Sequence, residues 1–108
     1  MSRICGVVAP KLKKEEIVRI IRMMTTLMRH EEWHRIDEWC SEGVGLGHLS
    51  IGAVNEEAQP IKDRREDLRI ITAGKIFDYE EKRRALKTRG HQFIYEENDA
   101  EFILAMYK

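Results

Sequence analysis

Cysteine is scarce in this chain of 108 residues. Cys5 and Cys40 form no Cys-x-x-Cys pair and no disulfide framework, so the composition fits a reducing cytoplasm. Long apolar runs are missing as well. None approaches the ~20 residues of a membrane span, and no apolar stretch typical of a signal peptide precedes Cys5. Net charge is absent too: 19 basic and 19 acidic residues are mixed along the chain. With no basic face, nucleic acid is excluded as an expected partner. There are no internal repeats and no low-complexity tract, so the length allows one domain with one modest core.

What remains is a charged but adequately apolar chain, 35% charged and 43% hydrophobic. Ile4 to Ala9 reads as a buried strand ended by Pro10. Glu15 to Arg29 reads as an amphipathic helix, because Ile17, Ile20, Ile21, Met24, Leu27 and Met28 recur at helical spacing. Met23, Met24 and Met28 read as core filler. Val44 to Ile51 is β-prone, with glycines at 43, 45 and 47 marking places where backbones approach closely. Leu68 to Phe77 is a further strand candidate, interrupted at Gly74. Asp78 with Glu81, and Asn98 with Glu101, predict capping boxes for two more helices, the first ending at Gly90. Gln92 to Tyr95 reads as a short strand. The order strand, helix, strand, strand, helix, strand, helix predicts an α+β domain.

Two patterns could carry chemistry. Cys5-Gly6 near the start could be an N-terminal nucleophile, whose base is its own α-amino group with a pKa near ~8. Here Met1 to Ile4 stand in front of it, and a peptide nitrogen cannot serve as that base. His30-Glu31-Glu32-Trp33-His34 is a literal His-Glu-x-x-His, which on a helix would place His30 and His34 on one face for zinc, with His48 or Glu38 as a third ligand. The stretch ends an amphipathic helix rather than forming an independent buried one, which favours an exposed imidazole at His34 and a core or interface ring at Trp33. Cys40 reads as a small apolar residue and His91 as a loop residue.

Six segments, in one order over nearly the whole chain, resemble the first half of the glutaminase domain of asparagine synthetases, which are class II glutamine amidotransferases. Cys5-Gly6-Val7-Val8 resembles Cys-Gly-Ile. Leu27-Met28-Arg29-His30 resembles the end of the first helix. Gly45-Leu46-Gly47-His48-Leu49-Ser50-Ile51 resembles Gly-Leu-Gly-His-Arg-Arg-Leu-Ser-Ile, and Ala58-Gln59-Pro60-Ile61 resembles Ala-Gln-Pro-Met. Ala73-Gly74-Lys75-Ile76-Phe77-Asp78-Tyr79 resembles Asn-Gly-Glu-Ile-Tyr-Asn-Tyr, and Asn98-Asp99-Ala100-Glu101 resembles Ser-Asp-Thr-Glu.

The resemblance implies an αββα sandwich of the N-terminal-nucleophile hydrolase type. Residues 1–108 would form a single domain equivalent to its N-terminal half. In an active form it implies that Cys5 attacks glutamine, that the backbone amide of Gly74 stabilises the oxyanion, and that Asp99 and His48 bind the substrate. Asp99 has a plainer reading as an acid in the first turn of a helix.

The departures imply decay. The arginines expected between His48 and Leu49 are missing, and with them a bidentate grip on the glutamine carboxylate. Ala73 replaces an oxyanion donor whose loss typically costs ~10²–10³ in rate. Lys75 replaces a carboxylate, and Glu31 stands where the family has Arg-Gly-Pro-Asp after its histidine. The expected function is therefore a degenerate glutaminase domain, ancestrally releasing ammonia from glutamine and now structural or interactive. Removal of residues 1–4 would restore the active alternative, and a zinc hydrolase is a further one. No cofactor is expected. A homodimer or a complementary synthetase-like chain is expected to cover strand positions drawn from Val7, Leu46, Leu49, Ile51, Ile70 and Ile76.

Overall fold

The structure, a computed structural model, describes residues 2–52, 57–63, 68–95 and 98–108. The chain runs β1 (Arg3–Val8), α1 (Lys14–Met28), β2 (Arg35–Ser41), β3 (Val44–Ser50), β4 (Ile61–Lys62), β5 (Arg69–Ile70), α2 (Glu80–Thr88) and α3 (Asp99–Tyr107). It is an α+β fold with two antiparallel sheets, one ordered β1-β3-β2 and the other the short β4-β5 pair.

Helix α1 lies across one face of the three-stranded sheet. Its Ile17, Ile21 and Thr25 are buried there, and the reason is visible in β3. Gly45 and Gly47 present no side chain, so the helix settles directly onto the backbone; a Cβ on Gly45 would come within 2.5 Å of Ile21 Cγ1. The helical twist of ~100° per residue carries Met23 and Leu27 away from that contact. Both are exposed, which corrects the reading of Met23 as core filler and of Leu27 as part of the buried stripe, while Met24 and Met28 are half-buried. Arg3 of β1 donates to the Met28 carbonyl at 2.9 Å and so ties the C-terminal end of α1 to the sheet.

On the opposite face, Gln59, Arg69 and Thr72 reach residues of β2 and β3. The Gln59 N–H donates to Asp37 Oδ2 at 3.4 Å, and the Arg69 guanidinium lies 4.2 Å from the Trp39 ring centroid. A second small core joins the β4-β5 pair to α3 through Ile61, Ala100 and Leu104, with Leu68 and Ile70 packed against it.

Several local expectations are corrected. Arg35–Ser41 is a strand where none was read. Only Arg69–Ile70 of the stretch 68–77 pairs as a strand, and residues 92–95 are irregular. Asp78 does not cap α2: it sits at φ 57°, and the cap residue is Tyr79 with no side-chain bond. Asn98 does cap α3, accepting from Ala100 N–H and Glu101 N–H. The box is only half formed, because the Glu101 carboxylate accepts instead from the N–H groups of Ile94 and Tyr95, both at 2.6 Å.

Candidate functional site

The site residues read from the sequence fall on two sides of the three-stranded sheet. Side chains alternate along a strand, so the residues whose Cβ meets α1 fix which face is which. A Cβ on Gly47 would meet Thr25 Cγ2 at 2.6 Å and Cys5 Sγ at 2.7 Å, placing the Cys5 thiol under the helix. Gly47 pairs with Cys5 on one side and with Glu38 on the other. The same glycine thus leaves a trough between a thiol and a carboxylate. Glu38 accepts from Thr25 Oγ1 at 2.7 Å and lies 3.9 Å from Arg22 Nε.

This surrounding does not activate the thiol. Burial pushes the Cys5 pKa up from 9.0 and the Glu38 charge pushes it further, opposed by a hydrogen bond with the Gly47 backbone. Cys40 is raised for the same first two reasons, against the attraction of Arg22 and Lys14. Cys5 also sits inside the strand: Arg3 pairs with Leu49 and Ile4 with His48 ahead of it. Its nitrogen is a peptide nitrogen in this structure.

The residues just after Gly74 meet Asp99. The Ile76 N–H donates to Asp99 Oδ2 at 2.9 Å, and Lys75 Nζ lies 3.6 Å from Asp99 Oδ1. Tyr79 also hydrogen-bonds to this carboxylate, and its hydroxyl pKa is raised by burial first and then by the Asp99 charge. Gly74 adopts φ 127°, a conformation side chains rarely take, so a glycine is required at this turn. His48 is on the face away from α1, where its imidazole donates to the Thr72 carbonyl just ahead of Gly74. The geometry therefore groups His48, Gly74 and Asp99 along one stretch and leaves the Cys5 thiol on the other face of the sheet.

The zinc pattern loses its structural premise. His30 to His34 lie in a turn after α1, not on a helix, and His34 Nδ1 accepts from the Glu31 N–H at 3.3 Å. Among the described residues no group of three or more His, Cys, Asp or Glu side chains could hold a metal ion. No helix among them is long and apolar enough to cross a membrane.

Thr25 beside Cys5 and Thr72 beside His48 carry no motif of their own, Gln59 sits in the Ala58-Gln59-Pro60-Ile61 motif with no role attached to it, and the sequence offers Glu38 only as a candidate zinc ligand. The signal for Glu38 was the alternation of Ile36, Glu38 and Cys40, which places an acid on the same strand face as a cysteine.

The glutamine amidotransferase domain profile matches residues 1–108. This chain belongs to that family. No curated protein and no solved structure gives a significant match.

Proposed function

We propose that this glutamine amidotransferase-like domain does not release ammonia from glutamine, and that it acts as a structural or interaction module of an asparagine-synthetase-like system. The observation that carries this reading is the Cys5 thiol, turned toward α1 beside Glu38, on the face of the sheet opposite to His48. Two further facts support it. Lys75 already offers an ammonium group to Asp99, where the resemblance implies that the substrate amine would bind. The active alternative would require loss of Arg3 and Ile4, whose pairs with Leu49 and His48 belong to β1. The seating of α1 on one face of a three-stranded antiparallel sheet supports the αββα sandwich of N-terminal-nucleophile hydrolases as the parent architecture.

Incubation with glutamine should yield ammonia at the background rate. Cys5 should also react with a glutamine-analogue electrophile no faster than an ordinary unactivated thiol, since the thiolate is the reactive form. Stoichiometric labelling of Cys5 that glutamine blocks would overturn the proposal.

The interaction role has its own support in β1. Ile4 and Val8 are 46% and 78% exposed on the face away from α1, and β1 is an edge strand. The positions Val7, Leu46, Ile51, Ile70 and Ile76 are half-buried and Leu49 is buried, so the exposed apolar surface lies elsewhere than expected. An unpaired edge bearing apolar side chains favours a second strand beside it. Sedimentation of the chain at micromolar concentration should give a homodimer, or a monomer that binds a complementary synthetase-like chain. A monomer that binds neither itself nor such a chain would count against the role.

A further inference from the structure

The outward side of α1 carries a groove lined by Val18, Arg19, Arg22, Met23, Thr26 and Leu27, of which Met23 and Leu27 are 62% and 78% exposed. These residues have a symmetry of their own. A twofold axis crossing the helix between Arg22 and Met23 exchanges Val18 with Leu27, Arg19 with Thr26 and Arg22 with Met23. The set maps onto itself. Two copies of the groove laid antiparallel would therefore set Leu27 of each against Val18 of the other, with the two Met23 side chains at the centre. Arg22 has its counter-charge on its own chain, in Glu38 at 3.9 Å.

The charges at the two ends of α1 follow the same symmetry. Lys13, Lys14, Glu15 and Glu16 stand at its start, and Arg29, His30, Glu31 and Glu32 follow its end, all of them exposed. The axis exchanges Lys13 with Glu32, Lys14 with Glu31, Glu15 with His30 and Glu16 with Arg29. Each exchange sets a basic residue against an acidic one. Arg29 also donates to the Glu31 and Glu32 carbonyls, which holds the second cluster folded at the end of the helix. A parallel pair would instead set every charge against its own copy, so the pattern selects the antiparallel arrangement. The helix dipoles favour it too.

We propose that a second copy of this chain seats on this groove, α1 against α1 and antiparallel. The proposal rests on the interaction role above and gives it a surface separate from the β1 edge. A helix of 15 residues is about 22 Å long, so one such pair belongs to the small interfaces, below roughly 1,200 Å², that bind weakly and reversibly.

Sedimentation equilibrium of the full chain, carried to about 0.5 mM to suit that class, should show reversible monomer–dimer exchange. Met23→Glu places two carboxylates at the axis and should leave only monomer. Val8→Glu, on the β1 edge, should leave the dimer intact. His30→Glu sets like charges against Glu15 and should weaken the dimer about fivefold, counting its two symmetric pairs, and Glu15→Lys in that background should restore it. The melting temperature of each variant should match the parent, since every changed residue is exposed. A chain that stays monomeric throughout the range overturns the proposal, while binding of a complementary chain is judged separately. A dimer lost with Val8→Glu but kept with Met23→Glu overturns it as well, and assigns association to the β1 edge. So does failure of Glu15→Lys to rescue His30→Glu.

Discussion

Gly45→Val is expected to destabilise the domain by about 3 kcal/mol or more, enough to remove a large share of a typical small domain's 5–15 kcal/mol. The new Cβ alone would stand 2.5 Å from Ile21 Cγ1 and 2.7 Å from Ile17 Cγ2. Those carbons are not mobile chain ends. Both isoleucines are fully buried, and the colliding carbons are held next to their branch points on α1. Strand propensity works in the opposite direction, because valine is preferred over glycine in a strand by at most about 1 kcal/mol. The clash is larger, so the helix must lift from the sheet.

The melting temperature should fall by at least about 10 °C, with the denaturant midpoint falling in step. Ile21→Ala in the Gly45→Val background should recover part of the loss, although Ile21→Ala alone costs about 2–5 kcal/mol. That non-additivity is the signature of a direct contact. A Gly45→Val protein as stable as its parent would mean that α1 does not rest on β3.

How much of this could be read from the sequence depends on where the information lies. Helix α1 was legible because its apolar spacing is local, and its seat on β3 was hinted at by the glycines at 45 and 47. Asn98 was legible as a cap because a cap acts over three residues. β2 was hidden. Arg35–Ser41 carries only Ile36, Trp39 and Cys40 as apolar residues, and its inward position 38 is an acid that becomes tolerable only because Thr25 and Arg22 meet it from the helix. Tertiary partners override propensity there. The stretch 68–77 reads as one strand, yet beyond Arg69–Ile70, which pairs with β4, the N–H groups of Thr72 and Ile76 go to the Gln59 and Asp99 side chains.

The site divides in the same way. Family motifs pointed to Cys5, Gly74 and Asp99, and the structure joins the last two. Which face of β1 the thiol occupies follows from the register against Gly47, a relation between distant segments that no linear motif contains.

Acidification should weaken the fold through His48, beginning near neutrality. Burial lowers its pKa below the ordinary 6.5. The Asp37 charge and the Thr72 carbonyl oppose that shift, and Arg35 reinforces it. The unfolded chain takes up a proton as pH falls through about 6.5, whereas the folded chain takes up its own only at lower pH. Between those two points the unfolded state binds more protons, so stability falls as pH falls. The contribution of neutral His48 is fully present above about 6.5 and fully lost below the folded pKa. The slope approaches about 1.4 kcal/mol per pH unit within that window.

At the alkaline end the sign reverses. Cys5 and Cys40 have pKa values raised above 9.0, so the unfolded thiols ionise first and stability declines as pH rises past that value. Urea midpoints measured from pH 4.5 to 10 should therefore form a plateau that falls at both ends. His48→Gln, which cannot titrate, should flatten the step that begins near pH 6.5 while leaving the alkaline decline in place, whatever its own cost at neutral pH. An acid limb of unchanged slope in that variant would show that His48 is not the buried neutral group between the two layers.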